Sequence, residues 1–248
     1  MSFSRALVRS VRVYLGGAAR RAALDGWYRR FVGPGDLAFD VGAHVGDRAA
    51  CFARLGARAV ALEPQPFVAR FLRARHPGIT VVQAAVGVVP GRVVLHVNAA
   101  NPTVSTASAA FLRAADGAAG WDGQVWGGRV NVPATSLRAL IARHGVPDFI
   151  KIDVEGFEHA VLLGLPRPVR ALSFEFTTIQ RDVAHACIDR LAALGYRAFN
   201  ASLGESLAFA LPRAVGAGAM RAWVDALPDS ANSGDIYASL ERRRVAGG

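Results

Sequence analysis

Short apolar runs alternate with stretches of helical spacing along most of this 248-residue chain. The first run, "DLAFDV" (residues 36–41), leads into glycines, and "DRAACFARLG" then has the period of a helix stopped by Gly56. "RAVALEP" predicts a second buried strand, cut off by Pro64. "PFVARFLRARHPG" predicts a helix with Phe67 and Phe71 one turn apart. "ITVVQAAVG" predicts a third strand, and "GRVVLHV" an added β-segment after Pro90 and Gly91. Between residues 98 and 131 the periodicity fades into Ala, Gly, Ser and Asn, with Trp121 and Trp126 embedded. Thr135 or Ser136 can cap the helix "LRALIARHG", whose Leu137, Leu140 and Ile141 share a face. "DFIKID" and "VRALSFEF" predict the fourth and fifth strands. A helix over 180–194 carries Val183, Cys187, Leu191 and Leu194 on one stripe, and "GYRAFNAS" and "DIYASL" supply the last two strands. This alternation predicts an α/β domain: a parallel sheet covered on both faces, with ligands beyond the strand C-termini.

The first 33 residues read differently. Leu7, Val8, Val11 and Leu15 fall on one side of a helix interrupted by Arg5, Arg9 and Arg12, with Arg20 and Arg21 following. The expectation is a basic helical segment over 1–33, a domain over 34–241 and a basic tail over 242–248. The segment lacks the unbroken apolar core of a signal peptide, and no apolar run reaches the roughly 18 residues of a membrane span. It should pack on the domain with a solvated basic face, able to make weak contact with an anionic membrane surface.

Composition narrows the classes. Hydrophobic residues make up 52%, enough for a core, and the net charge is +10. Aromatic residues are not interleaved with the basic ones as in single-strand binders, so no specific nucleic acid is expected. Cys51 and Cys187 sit in apolar helical stretches, with neither a disulfide framework nor a Cys/His metal pattern, which points to the cytoplasm. Arginine outnumbers lysine 28 to 1, a bias expected of a GC-rich bacterial genome, and it makes the one lysine, Lys151, informative.

Two turns suggest a ligand. In "FDVGAHVGDR", Asp40, Gly42 and Gly46 surround a strand-to-helix turn whose glycines let backbone N–H groups approach a ligand. The spacing is G-x-x-x-G, so the dinucleotide fingerprint that an NAD(P)-dependent oxidoreductase needs is missing. A carboxylate at Asp40 suits a cationic ligand with an amino-acid tail rather than a pyrophosphate. Glu63, ending the second strand, can accept two hydrogen bonds from a ribose diol. Together they describe S-adenosyl-L-methionine.

The third cluster is "FIKIDVEGFEHAVLLGL", which gathers Lys151, Asp153, Glu155 and Glu158 within eight positions. Residues 151, 153 and 155 of an extended segment project to one side, so the lysine and two carboxylates form one polar group at the ligand edge. Glu158 suits the start of the next helix. Glu175, in "SFEF", faces the same edge.

The stretches "FDVGAHVGDRAACFARLGARAVALEPQP", "AAVGVVPGRVVLH" and "TSLRALIARHGVPDFIKIDVEGFEHAVLLGL" resemble the FkbM family of S-adenosylmethionine-dependent methyltransferases, over residues 36–240. The most specific piece is K-x-D-x-E-G-x-E at Lys151 to Glu158, supported by Glu63-Pro64. The resemblance implies a Rossmann-like class I methyltransferase fold: a seven-stranded, mostly parallel sheet with an antiparallel last strand and helices on both faces. It implies a cofactor turn at Asp40, Gly42, Ala43, His44 and Gly46, the ribose on Glu63 beside Pro64, and adenine flanked by Gln83, Ala84 and Ala85. Asp153 would stand beside the methyl group and the acceptor. Two positions depart from the family: His44 replaces its usual Asn, and Ser136 stands where Asp often follows Thr-Leu.

The expected reaction is O-methylation of a sugar, a glycan or another small metabolite. Asp153 is the first choice of base, with Lys151, Glu155 and His44 around it. Asp153, Glu155 and Glu175 can alternatively hold a magnesium-type cation; catalysis without a metal is the favoured expectation. The acceptor site should come from residues 98–131 and 203–234. Other readings are methylation of nitrogen or of a protein side chain, and a non-catalytic cofactor-binding module.

Overall fold

The computed structural model describes residues 3–245. The chain enters through α1 (Phe3–Leu15) and α2 (Ala18–Tyr28), then alternates β1 (Leu37–Val41), α3 (Asp47–Arg54), β2 (Arg58–Leu62), α4 (Pro66–Arg75) and β3 (Thr80–Val82). An excursion follows with β4 (Ala85–Gly87), β5 (Gly91–Val97), α5 (Ala109–Ala115) and β6 (Gly128–Ser136). The alternation resumes with α6 (Leu137–His144), β7 (Phe149–Ile152), α7 (Glu158–Leu163), β8 (Ala171–Thr177) and α8 (Arg181–Ala193). It ends with β9 (Ala198–Leu203), α9 (Ala217–Ala226) and β10 (Ser233–Ser239).

Seven strands form one sheet in the order β3-β2-β1-β7-β8-β10-β9. All run parallel except β10, which is antiparallel to both neighbours. This is the seven-stranded, mostly parallel arrangement that the sequence suggests. The connection order reverses between β1 and β7, a switch point whose C-terminal crevice is where open α/β sheets bind ligands.

The strand pleat sorts the core into two layers. Phe39, Val41, Ile150, Ile152, Leu172 and Phe174 pack with buried residues of α6, α7, α8 and α9. On the other face, Ala38, Ala59, Ala61, Phe149 and Tyr237 join Leu24, Trp27, Tyr28, Phe31 and Phe52. The small alanines leave room for large rings. Phe31 stacks 5.0 Å from Phe149 and 5.1 Å from Tyr237, and the Trp27 indole donates to the Tyr237 hydroxyl at 2.8 Å. Each fully buried ring contributes about 1.5–3 kcal/mol, so α2 belongs to the core.

Several local expectations change. The run over 79–87 is two strands, because the chain turns where Ala84 N–H donates to the Val82 carbonyl. Beyond that turn β4 pairs with β6 in a separate three-stranded sheet, β4-β6-β5. The segments of fading periodicity contain α5, capped by Ser108 accepting the Phe111 N–H at 3.1 Å, and α9. On α1, Tyr14 and not Val8 joins Leu7, Val11 and Leu15 against Val45 and Val68; Val8 is 57% exposed. On α4, Phe67 is exposed while Val68, Ala69 and Leu72 are buried. Ser136 does cap α6, accepting the Ala139 N–H at 3.3 Å. Within the expected basic tail, Val245 is buried and its carbonyl accepts from Asn200 at 2.9 Å; residues 246–248 lie outside the described residues. Among the described residues, no helix is long and apolar enough to cross a membrane.

Candidate active site

The aromatic face of the sheet turns polar toward the C-terminal ends of the parallel strands. Two residues beyond Ala38, Phe149 and Ala171 on that face come Asp40, Lys151 and Ser173. Two further along stand Asp153 and Glu175. Antiparallel β10 brings Asp235 to the same edge, because there it precedes Tyr237 by two positions. Asp40 is the register partner of Lys151, and Asp235 that of Glu175.

Lys151 is 1% exposed. Its ammonium lies 3.0 Å from Asp153 Oδ2 and 2.8 Å from Asp235 Oδ1. Desolvation works against that charge, and the two carboxylates outweigh it, holding the lysine well above its usual pKa. Desolvation likewise opposes ionisation of Asp153; Lys151 and then Arg48 overcome it and keep this carboxyl below the usual range. The expected grouping of residues 151, 153 and 155 needs one correction. Glu155 lies beyond the strand with φ 55°, so a left-handed bend, not the pleat, places its carboxylate. Lys151 therefore reaches Asp235 in place of Glu155. Even so, oxygens of Asp153, Glu155 and Glu175 all lie within 4.8 Å of one another. Burial lifts Glu155 and Glu175 well above the carboxylate range, and the charge of Asp153 adds to it.

The first turn is built on close approach. Gly42 has φ 86°, and a Cβ there would overlap the Asp153 carbonyl. Gly42 and Ala43 both donate backbone N–H groups to the Leu62 carbonyl at 3.0 Å. Gly46, also left-handed, stands at the N-cap of α3. Glu63 joins the two turns: its Oε2 accepts the His44 N–H at 3.0 Å and its Oε1 the Gln65 N–H at 2.8 Å. Each oxygen keeps a lone pair for a ligand. Asp40 is tied down as well, accepting the Ala49 N–H at 2.9 Å. Burial pushes both Glu63 and Asp40 up to about 7. It pushes His44 down to about 4, so the imidazole is neutral, and neither ring nitrogen has a hydrogen-bond partner among the described residues.

Two cavities adjoin these turns. A narrow one of about 40 Å³ is bounded by Glu63, Pro64, Ala84, Ala85 and Phe157. A wider one of about 310 Å³ is bounded by Asp40, Ala43, Lys151, Glu155 and Glu175, with Trp121 in its wall. Gly42, His44, Thr103 and Asp153 line both. Gln83 and Gly46 line neither.

The wide cavity also contains residues that the sequence does not single out. Arg48 binds Asp47 at 2.6 Å and also Glu205, while Arg20 of α2 reaches both acids at 3.1 Å. This network ties α2 and α3 to the loop after β9. Arg48's position just after the glycine turn is its only local signal; Glu205 has none. Three non-glycine residues with positive φ, His44, Glu155 and Asn232, line this cavity, as strained backbone at ligand sites often does. Glu158 is a turn-holder: its Oε1 accepts the N–H groups of Val154 and Gly156 at 3.0 and 3.2 Å.

No curated protein sequence matches the chain. Among solved structures, an O-methyltransferase from Bacillus cereus in complex with SAH aligns with TM-score 0.46 and 12% identity, over 96% of this chain and 91% of that one. A TehB-like SAM-dependent methyltransferase from Corynebacterium glutamicum aligns with TM-score 0.47 and 9% identity, over 88% of both chains. Aeropyrum pernix fibrillarin with natively bound S-adenosyl-L-methionine gives 0.44 and 14%, over 84% of this chain and 68% of that one. A family model described as "Methyltransferase FkbM domain" matches residues 40–198, a span that begins at Asp40 and contains Glu63 and all of the Lys151-to-Glu158 motif. On that match, the chain belongs to the FkbM family of methyltransferases.

Proposed function

We propose that the protein transfers a methyl group from S-adenosyl-L-methionine to a hydroxyl of a sugar, a glycan or another small metabolite. The observation that carries this reading is the shared wall of the two cavities, in which Asp153 belongs to the narrow cavity beside Glu63 and to the wide one. The residues fit the cofactor. Glu63 has lone pairs free for a ribose diol, Ala84 and Ala85 border the narrow cavity, and Asp40 and Asp153 suit a cationic ligand. The bare Cα of Gly42 lets the first turn pack directly against the Asp153 carbonyl.

When bound, the cofactor supplies an electrophilic methyl carbon and retains the C–S bonding pair on sulfur as that methyl leaves. Asp153 orients the acceptor hydroxyl and takes its proton as the new C–O bond forms. An oxygen gaining a third bond is a strong acid, so even a carboxylate of lowered pKa accepts from it. Orientation of the acceptor is worth about 7–11 kcal/mol. A positioned base adds about 10²–10⁴ in rate. Lys151 holds Asp153 in place. Neutral His44 adds no like charge beside the sulfonium. Catalysis without a metal ion is part of the proposal, because the Lys151 ammonium, 3.0 Å from Asp153, opposes a divalent cation there.

Calorimetric titration with S-adenosyl-L-methionine tests the cofactor, with binding expected in the wild type and lost in Glu63→Arg. Labelled-methyl transfer tests the base, with Asp153→Asn expected to lower kcat by about 10²–10⁴. Absence of cofactor binding, or an unchanged Glu63→Arg, overturns the reading. The two buried free thiols, Cys51 and Cys187, support a reducing, cytoplasmic setting. The outward face of α1, where Arg5, Val8, Arg9, Arg12 and Val13 are exposed, supports weak contact with anionic lipid, testable by vesicle co-sedimentation.

A further inference from the structure

The wide cavity is acidic inside a basic protein. Asp40, Asp47, Asp153, Glu155, Glu175, Glu205 and Asp235 line it against only Arg48 and Lys151, whereas the whole chain carries +10. Most of these acids are engaged. Arg48 and Arg20 neutralise Asp47 and Glu205, Lys151 bridges Asp153 and Asp235, and Asp40 holds the start of α3. Glu155 and Glu175 make no ion pair among the described residues, although Glu175 is hydrogen-bonded to Asp153. Glu155 is 7% exposed, and Oε2 of each glutamate has no hydrogen-bond partner among the described residues.

A second and independent feature points to a ligand. Trp121, 8% exposed, lines the same cavity, and its indole N–H has no partner among the described residues. A buried donor left unmade is costly, so a bound oxygen would satisfy it. The wall thus offers carboxylates to a cation and an N–H to an oxygen, in a volume of about 310 Å³ that suits a small ring.

Building on the methyltransferase reading, we infer that the acceptor is an amine-bearing alcohol of the amino-sugar type. Its protonated amine is held by Glu155 and Glu175, while a neighbouring hydroxyl faces Asp153 and receives the methyl group. Burial opposes ionisation of both glutamates, and a neutral polyol would do nothing to offset it. The ammonium supplies a counter-charge and fixes which hydroxyl lies at Asp153.

The test uses the full chain saturated with S-adenosyl-L-homocysteine. Ligand-observed NMR compares matched pairs of amino sugars and their N-acetyl derivatives. The free-amine members should bind about tenfold tighter or more, and both Glu155→Gln and Glu175→Gln should remove the difference. Labelled-methyl transfer should then place the methyl on oxygen. Absence of an amine preference, total lack of binding included, overturns the inference, as does methyl recovered on nitrogen or Mg²⁺ displacing the amine. Cofactor binding is measured first in the same samples. If it fails, the methyltransferase reading falls; if it holds without an amine preference, only the acceptor assignment falls. Retained cofactor binding in each glutamine variant also shows that the variant is folded.

Discussion

Lys151 and Asp235 meet at 2.8 Å although 84 residues separate them, the ammonium on β7 reaching past β8 to a carboxylate on β10. The same ammonium holds Asp153 at 3.0 Å. Lys151→Met would leave both acids beside the core without a counter-charge. The expected loss is about 3–5 kcal/mol, read as a lower denaturant midpoint at constant slope. Adding Asp235→Asn should return part of it. If the single variant is as stable as the wild type, the pair does not hold this edge together.

That contact also marks the boundary of what the sequence makes legible. Lys151, Asp153, Glu63 and the Gly42 turn declare themselves because the strand, the turn and the charge lie within a few residues of each other. Asp235 does not. The alternation in "SGDIYASL" puts it on the same face as Tyr237, but its arrival beside Lys151 depends on β10 lying antiparallel between β8 and β9. Glu205 likewise reaches the wide cavity by tertiary placement, whereas Trp121 lies in the stretch 98–131 that fading periodicity already marks for the acceptor. The split of residues 79–87 has the same cause: only Thr80 and Gln83 are polar in that run, neither is a turn former, and β4 leaves the main sheet to pair with β6 some fifty residues downstream.

The acidic turns give a pH dependence of definite sign. Burial lifts Glu63 and Asp40 to about 7, against about 4 in an unfolded chain. Between those values the folded state keeps protons that the unfolded chain has released. Their contribution to stability is therefore present below about pH 4 and lost as pH rises through about 7. A cationic cofactor favours the ionised carboxylates, so its affinity should rise over the upper part of that interval. Differential scanning and calorimetry between pH 5 and 8 should show the two trends opposed. Glu63→Gln should weaken both. An affinity that falls as pH rises would show that the ionised forms of these acids are not what binds the cofactor.

Gly42 and Gly17 separate strain from overlap. Both have positive φ, 86° and 82°, but a Cβ at Gly17 meets nothing within 4 Å while one at Gly42 overlaps the Asp153 carbonyl. Gly17→Ala should cost only the left-handed penalty, about 1–2 kcal/mol. Gly42→Ala should cost more, and it should also displace the end of β7 and weaken cofactor binding. Equal effects of the two substitutions on stability and binding would remove the claim that close approach is what position 42 requires.

The second helix and its following turn supply a prediction about where the folded unit begins. Phe31 is fully buried between Phe149 and Tyr237, and Trp27 donates to Tyr237, so the layer beneath the polar edge is built partly from residues before β1. Truncating Phe31 removes a stacked ring from a face whose alanines cannot close the gap. Phe31→Ala should therefore cost about 3–5 kcal/mol. Val8→Ala, on the exposed side of α1, should stay within about 0.5 kcal/mol. Asp235 lies two residues from Tyr237 on the same face, so loosening that ring should also disturb the Lys151 contact. Phe31→Ala should then lower labelled-methyl transfer even below its unfolding temperature. Full activity and full stability in Phe31→Ala would place the turn after α2 outside the functional core.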